Sequence, residues 1–313
     1  MKNLFTQLTT LMAVLLTSSA TYSAEPTYTE TWVSDESEIS YLELSDNNQL
    51  RYLKTGSGEP LLLLHTIRTQ LDYYEKIIPL LSEHFTVYAL DLPGHGYSTI
   101  IDTDYTEPYF REAVVQFIER LDLNNLTIVG ESIDGVLALT AASESKQRIK
   151  QVYSLNPYDY GDTYGGGIRR SSAWGNIIIG SFGVPGIGFV SSHMENRFLL
   201  RRVLNGGLVD NKNIPDELLL EFNCVGGQKG YRNVERSTFS NWRSWLTARE
   251  LYHNITVPVT LVYGDNDWSL PNERDANVTL LNNISTIMLK DVGHFSSLEQ
   301  PERIAQIIIQ GAI

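Results

Sequence analysis

Short apolar runs alternate with amphipathic stretches along most of this chain. Runs of this length and composition are typical of strands buried on both faces of a parallel sheet. They lie at Leu61–Leu64, Thr86–Leu90, Leu126–Val129, Gln151–Leu155, Val259–Tyr263 and Ser285–Leu289. Stretches with helical periodicity lie at 71–82, 107–121, 132–144, 271–281 and 299–310. The alternation predicts an α/β protein with helices on the faces of a mostly parallel sheet.

Two further strands precede the first parallel one. Tyr41–Leu44 and Leu50–Lys54 alternate in polarity, and Asp46, Asn47 and Asn48 between them are typical turn residues. The pattern predicts an antiparallel hairpin that enlarges the sheet to eight strands.

The alternation stops at the centre of the chain. Residues 157–251 are rich in glycine, arginine and aromatic residues, with helical patterns at Glu195–Leu204 and Pro215–Asn223. We interpret 157–251 as a helical cap inserted between two parts of one core, residues 25–156 and 252–313. The 313 residues of the whole chain are enough for one large domain with an insertion.

Aromatic and basic side chains of this insertion have two interpretations. The aromatic ones line a pocket or pack the cap against the core, and Arg169 and Arg170 meet an acidic substrate group or lie on the surface. The aromatic residues concerned are Tyr158, Tyr160, Trp174, Trp242 and Trp245.

The first 24 residues have the pattern of a secretory signal peptide. Lys2 precedes an apolar run, Leu8–Leu16, and small residues follow, of which Ser18-x-Ala20 is the better cleavage pattern. The run is shorter than the roughly 20 residues that span a bilayer, so no integral membrane segment is expected after cleavage. We therefore predict a periplasmic or secreted protein, and its only cysteine, Cys224, permits no intramolecular disulfide.

Charge narrows the range of partners. The net charge of −13 and the isoelectric point near 4.9 disfavour nucleic acid and anionic membrane surfaces as partners. The sequence has neither a metal-ligand cluster nor a phosphate-binding loop, so no cofactor and no metal are expected. A small-molecule substrate remains, and the oligomeric state is not indicated.

A serine lies where a strand gives way to a helix. Ser132 stands between Gly130 and Gly135, directly after the run that ends at Val129. A sharp turn at this point exposes the serine oxygen and directs N–H groups of the new helix toward the anion that forms when the serine attacks. The pattern G-x-S-x-G has its second glycine two residues after the serine, where this chain has Asp134.

Downstream residues supply the partners that a nucleophilic serine requires. A neutral imidazole must take the serine proton, and a carboxylate must orient that imidazole. Asp265 and Asp267 follow one apolar strand, and His294 follows the last. Both loops are expected at the C-terminal edge of the sheet.

Several motifs together resemble the α/β-hydrolase family from about Tyr41 to the C-terminus. They are Leu61–His65, Asp91-Leu92-Pro93-Gly94-His95-Gly96-Tyr97-Ser98, the turn around Ser132, and Gly293-His294-Phe295. The resemblance implies the α/β-hydrolase fold, with Ser132 as nucleophile, Asp267 as acid and His294 as base. Asp267 is preferred to Asp265 because the family pattern G-x-x-D-x-x-x-P falls on Gly264, Asp267 and Pro271.

The resemblance also implies an oxyanion hole. One N–H would come from Ile133 and the other from Thr66 or Ile67. Thr66 replaces the usual glycine, and the start His65-Thr66-Ile67 also resembles plant hydroxynitrile lyases, in which the threonine hydroxyl takes part in cyanohydrin cleavage.

We therefore predict a serine hydrolase that cleaves a carboxylic ester through an acyl-enzyme on Ser132. Lactonase, C–C hydrolase, cofactor-free haloperoxidase and hydroxynitrile lyase activities stay open, because they share these catalytic residues. Asp134 is expected to lower activity through backbone strain or charge, unless it simply lies in the first helical turn. A catalytically decayed binding protein of the same fold is the alternative from another class.

Overall fold

The computed structural model of the 313-residue chain describes residues 28–45, 48–161, 165–171, 173–182, 184 and 196–312. The predicted signal peptide and the turn residues Asp46 and Asn47 lie outside these ranges, as does the side chain of Trp174. Among the described residues, none of the helices is both long and apolar enough to cross a membrane.

One eight-stranded sheet organises the described chain. The strands lie in the order β1-β2-β4-β3-β5-β6-β7-β8, and every neighbouring pair from β4 to β8 is parallel, whereas β2 is antiparallel to β1 and β4. The strands are β1 Glu38–Glu43, β2 Gln49–Gly56, β3 Glu59–Leu64, β4 Phe85–Leu90, β5 Leu126–Glu131, β6 Ile149–Leu155, β7 Val259–Gly264 and β8 Ile284–Leu289. The predicted mostly parallel, eight-stranded sheet is confirmed.

Helices connect and cover the strands. Those of the core are α1 Ile78–Ser82, α2 Glu107–Arg120, α3 Ile133–Glu144, α10 Pro271–Leu280, α11 Ser296–Glu299 and α12 Pro301–Ala312. Between β6 and β7 lie α4 Gly166–Ser171, α5 Ala173–Phe182, α6 Arg197–Leu204, α7 Asp216–Gly226, α8 Tyr231–Ser240 and α9 Trp242–Thr247. Short 3-10 turns occupy Thr29–Thr31, Leu71–Tyr74, Asn205–Gly207, Asn211–Asn213 and Ala248–Asn254. We refer to residues 157–251 as the β6–β7 insertion.

The sheet is buried on both faces, as the apolar runs predict. Leu61 and Leu63 of β3 pack into one hydrophobic core, and Leu62 and Leu64 pack into another on the opposite face. Because side chains alternate along a strand, a continuous leucine run can fill both cores at once.

Local elements differ from the prediction in one place. The single helix predicted over 71–82 is a 3-10 turn, Leu71–Tyr74, followed by the short helix α1. Pro79 lies in the first turn of α1, where its missing N–H is tolerated, whereas further along a helix it would remove a hydrogen bond. The helix therefore starts late.

Four loops meet at one edge of the sheet. His65 follows β3, Ser132 follows β5, Asp267 follows β7 and His294 follows β8. Since these strands are parallel, their C-terminal ends lie on the same side, where sites in such sheets form.

Candidate active site

Ser132 occupies the strained turn between β5 and α3. Its φ of 64° lies in the left-handed region, which costs a non-glycine residue about 1 to 3 kcal/mol. The turn is held by the Ser132 N–H, which donates to the Leu155 carbonyl at 2.9 Å, and by the Ser132 carbonyl, which accepts from Gly135 and Tyr158. Gly135 passes close to β6, since a Cβ there would lie 2.9 Å from Ser154 Oγ. The close approach thus falls one residue later than the usual pattern places it.

The three residues predicted as a triad lie in one hydrogen-bonded chain. Ser132 Oγ is 2.7 Å from His294 Nε2, and His294 Nδ1 is 2.5 Å from Asp267 Oδ1. The His294 ring is fully buried. With Asp267 accepting from Nδ1, Nε2 is left as the basic nitrogen that faces the serine.

The two carboxylates of the loop after β7 have different environments. Asp267 is nearly buried, and its second oxygen accepts from the Ser269 N–H at 3.0 Å and from the Ser269 hydroxyl. Asp265 is exposed and accepts from the Val292 N–H, which ties this loop to the loop after β8. The structure therefore brings Asp267, and not Asp265, to the histidine.

Two backbone contacts fix the His294 loop. The Gly207 carbonyl of the insertion accepts from the backbone N–H of His294 at 2.7 Å. The side-chain amide of Asn156 donates to the backbone carbonyl of His294 at 2.9 Å. A Cβ at Gly207 would lie 2.5 Å from Phe295 Cε2, so no larger side chain fits without movement. The insertion and the core thus share the support of the histidine.

Trp268 stacks on the histidine ring. The ring centroids are 3.7 Å apart and the planes differ by 14°, while Trp268 Nε1 donates to the Gly206 carbonyl at 2.9 Å. The stack covers one face of the imidazole and restricts its rotation. The sequence analysis did not single out Trp268, although its position directly after Asp267 was a usable indication.

Two of the three predicted oxyanion-hole residues offer N–H groups. Ile67 and Ile133 border the same cavity as Ser132, and among the described residues neither N–H has an acceptor. The Thr66 N–H instead donates to Thr69 Oγ1 at 3.2 Å. Ile133 is the first residue of α3, where N–H groups are left unpaired by the helix itself. Thr66 borders the cavity as well, but its N–H is engaged with Thr69, and its buried hydroxyl has no hydrogen-bond partner among the described residues.

Asp134 is buried in the first turn of α3. Its φ is not positive, so the strain considered from the sequence does not arise; the left-handed residue is Ser132. Neither carboxyl oxygen has a hydrogen-bond partner among the described residues, and burial raises the pKa of Asp134 well above its usual range. Burial thus favours the protonated form of this side chain, and Asp134 does not border the cavity.

His65 braces the loop that carries Thr66 and Ile67. The Leu92 N–H donates to His65 Nε2 at 3.1 Å, so Nδ1 holds the proton and donates to the Thr66 carbonyl at 2.9 Å. Burial lowers the pKa of His65 to about 4, and it lowers the pKa of the neighbouring His95 to about 3. Both rings are neutral, which agrees with a structural role.

Glu131 is a further buried acid that the sequence analysis missed. It accepts from Tyr73 Oη at 2.6 Å and from Ser296 Oγ at 2.5 Å, directly behind the serine and histidine loops. Burial raises its pKa. A glutamate between glycine and serine carries no distinctive pattern, so only its neighbours reveal that it joins the two loops.

A cavity opens over Ser132. It encloses about 990 Å³ free of atoms, including the part open to solvent. Four of the aromatic residues considered from the sequence, Tyr158, Tyr160, Trp242 and Trp245, border it, so they line the pocket. Arg170 instead pairs with Glu273 at 2.8 Å, and Arg169 donates to Asn176. Among the described residues no cluster of three or more His, Cys, Asp or Glu side chains could hold a metal ion.

Comparison with known proteins agrees with this architecture. A (E)-2-((N-methylformamido)methylene)succinate hydrolase of Acinetobacter baylyi is 30% identical over 115 residues, 37% of this chain and 44% of that protein. A 2-(acetamidomethylene)succinate hydrolase of Mesorhizobium japonicum is 22% identical, with 81% of this chain and 87% of that protein covered. The first match thus spans less than half of the relative's length.

Solved structures share the fold. Cfl2 of Burkholderia cenocepacia superposes with a TM-score of 0.77 at 17% identity, covering 92% of this chain and 98% of that one. The family model described as alpha/beta hydrolase fold matches residues 59–301. The chain therefore belongs to the α/β-hydrolase family.

Proposed function

We propose that this protein is a serine hydrolase that cleaves a carboxylic ester of a small molecule. The observation that carries the proposal is the chain of hydrogen bonds from Ser132 Oγ through His294 to Asp267. The hydrolase names of its relatives support the same reaction class.

Acylation would begin with attack of Ser132 Oγ on the ester carbonyl carbon. His294 Nε2 takes the serine proton, and Asp267 stabilises the imidazolium that forms. The carbonyl oxygen becomes an oxyanion, for which the N–H groups of Ile67 and Ile133 are the available donors. The tetrahedral adduct then expels the alcohol, which receives the proton from His294.

Deacylation repeats the steps with water. His294 Nε2 removes a proton from the water as its oxygen attacks the acyl carbon. The second tetrahedral adduct releases the carboxylic acid, and the proton returns through His294 to Ser132 Oγ. The reaction balances with one ester and one water consumed, and one alcohol and one carboxylic acid released.

The proposal is tested with p-nitrophenyl esters from acetate to octanoate. We expect turnover by the protein and a loss of roughly 10⁴-fold or more in kcat with Ser132→Ala. Ser34→Ala, at an exposed serine, is the matched control and keeps full activity. A Ser132→Ala protein with unchanged turnover would refute the assignment of the nucleophile.

Labelling by a fluorophosphonate probe separates this proposal from a decayed binding protein. A working triad gives a label that Ser132→Ala abolishes, because the probe needs an activated serine. A protein that takes no label and hydrolyses none of the esters, yet binds a small molecule stably, would favour the binding protein.

A hydroxynitrile lyase is the second candidate, and one observation favours it. Thr66 borders the cavity, and its buried hydroxyl has no hydrogen-bond partner among the described residues, which leaves it as a candidate to bind a substrate hydroxyl. Cleavage of mandelonitrile that is lost in both Ser132→Ala and Thr66→Val would support this activity. Ester hydrolysis without mandelonitrile cleavage would exclude it for that substrate.

We also propose that the protein is exported to the periplasm or secreted. The support is the N-terminal pattern of one lysine, an apolar run and small residues. N-terminal sequencing of the protein from expressing cells tests this: a start at or before Glu25 that lacks Met1 is expected, and an uncleaved cytosolic chain would contradict it.

A further inference from the structure

The cavity over Ser132 has almost entirely apolar walls. The helices of the insertion contribute side chains such as Leu200, Leu204, Phe239 and Trp245. Among the described residues that border it, only Arg68 and Glu235 are charged. These two residues are therefore the charged groups that a substrate in the cavity would meet.

Arg68 and Glu235 form a nearly buried ion pair across the cavity wall. Arg68 Nε is 3.7 Å from Glu235 Oε1, and the two side chains are only 9% and 6% exposed. Arg68 Nη1 also donates to the Phe222 carbonyl at 2.8 Å, and its guanidinium lies 5.1 Å from the centre of the Tyr231 ring. The arginine is therefore held in place and its charge is compensated from within the protein.

The pair joins the two parts of the site. Arg68 directly follows Ile67 in the loop after β3, whereas Glu235 lies on α8 of the insertion. A carboxylate on the substrate would lose its hydration in an apolar cavity and would meet Glu235 as well as Arg68. An uncharged chain meets neither penalty.

We infer that Glu235, by compensating Arg68, makes the site selective for esters with uncharged hydrophobic groups and excludes carboxylate-bearing ones. This inference rests on the proposed ester hydrolysis. The inferred selectivity would differ from that of the two relatives described above, whose names give succinate derivatives as substrates. Succinate derivatives carry negative charge at neutral pH.

The direct test compares two esters of one shape. Mono-p-nitrophenyl adipate ends in a carboxylate, and p-nitrophenyl 6-methylheptanoate ends in an isopropyl group of similar size. We expect kcat/KM to favour the neutral ester by about 100-fold or more. A factor of this size corresponds to the cost of burying one unpaired charge. Comparable kcat/KM values for the two esters would overturn the inference.

Two variants should move this ratio in opposite directions. Glu235→Gln leaves Arg68 facing the cavity without that carboxylate, so the preference for the neutral ester should shrink by about tenfold. Arg68→Met leaves Glu235 without its arginine, so the preference should widen by a similar factor. Ratios that stay the same in both folded variants would overturn the role of the pair.

Glu59→Gln is the matched control. It removes one negative charge at an exposed ion pair with Lys150, outside the cavity, and should leave the ratio unchanged. Unfolding curves followed by circular dichroism show whether each variant is folded before its ratio is used. If one of them does not fold, the other still tests the direction.

A binding experiment keeps this inference separate from the proposed reaction. In Ser132→Ala, which cannot form an acyl-enzyme, 6-methylheptanamide should raise the unfolding temperature at a concentration about tenfold lower than the monoamide of adipic acid requires, because the two amides differ at the distal end, where the second carries a carboxylate. Equal concentrations would refute the charge selection even if esters are hydrolysed. The expected difference without hydrolysis of any ester would instead leave the selection standing and refute the reaction.

Discussion

The floor and the roof of the cavity over Ser132 differ in how they are built. The floor consists of the loops after β3, β5, β7 and β8, whose polar groups are held by hydrogen bonds to neighbouring backbone. The roof consists of helices of the β6–β7 insertion, which present mostly apolar side chains. A hydrogen-bonded floor fixes the geometry that a reaction needs, whereas apolar contacts are non-directional and can be exchanged more freely. The floor should therefore determine which reaction is catalysed, and the roof should determine which substrates are accepted.

The largest effect on activity is expected from a change of Asp267, the acid at the floor of the cavity. We expect Asp267→Asn to lower kcat roughly 10⁴-fold for every ester, because the amide would favour the wrong imidazole tautomer. Asp265→Asn, two residues away and exposed, should stay within about twofold. Initial rates with p-nitrophenyl esters from acetate to octanoate give kcat for both variants. Loss confined to long esters would contradict the assignment of Asp267 to the floor.

A smaller effect is expected from the stacked ring. Trp268→Leu removes the ring that lies 3.7 Å from His294, and kcat should fall by about 10- to 100-fold as the imidazole gains freedom. Trp268→Phe keeps an aromatic face and should retain most of the activity. Equal losses in Leu and Phe variants would show that the Nε1 bond to Gly206, and not the stack, supports the histidine.

Changes in the roof should alter selectivity without abolishing the reaction. Leu199 on α6 borders the cavity and is half-buried, so Leu199→Trp should lower kcat/KM for octanoate about tenfold and affect acetate much less. Phe198→Trp, at an exposed neighbour on the same helix, is the control. A uniform loss across the series would mean that the roof also positions the catalytic groups.

The smallest effect on activity is expected beneath the floor, at Asp134, where the measurable change is in stability. Because the pKa of Asp134 is raised by burial, the folded protein keeps a proton that the unfolded chain releases above about pH 4. Stability from this group is present below that pH and is lost as pH rises toward the folded pKa, by at most about 1.4 kcal/mol per pH unit. We therefore expect Asp134→Asn to gain stability relative to the original protein as pH rises.

Urea unfolding between pH 5 and pH 8 measures this difference. Asp265→Asn is the control, since the pKa of Asp265 is lowered by hydrogen bonds from backbone N–H groups and does not titrate there. A gap between Asp134→Asn and the original protein that is constant over this range would contradict a raised pKa of Asp134. Asp134→Gly tests activity: loss of a carboxyl that lies outside the cavity should change kcat/KM by no more than about twofold.

The floor could be predicted from the sequence, and the roof could not. Ser132, Asp267 and His294 each follow an apolar run, and parallel strands place such loops at one edge whatever the details of packing. The wall of the roof depends on which face each helix presents to the core, and the helical patterns at Glu195–Leu204 and Pro215–Asn223 do not specify that. The pairing of Arg68 with Glu235 joins residues far apart in sequence and had no local pattern.

The departures from prediction at the floor have local causes. The Thr66 N–H is engaged within its own loop because Thr69, three residues later, supplies an acceptor. The glycine that approaches β6 is displaced by one residue, to Gly135, because Asp134 is accommodated in the helix instead. Both are contacts between side chains and backbone that a pattern of apolar and polar positions does not resolve.

The bond from His294 to the Gly207 carbonyl has a consequence for protein engineering. Exchange of the whole β6–β7 insertion between relatives is an attractive route to new specificity, but here it would also remove a support of the histidine. A chimera that retains residues 205–207 of this chain should keep its turnover. A chimera that replaces them gains a new pocket but loses a hydrogen bond that positions His294. The boundary for recombination therefore lies inside the insertion and not at the strand ends.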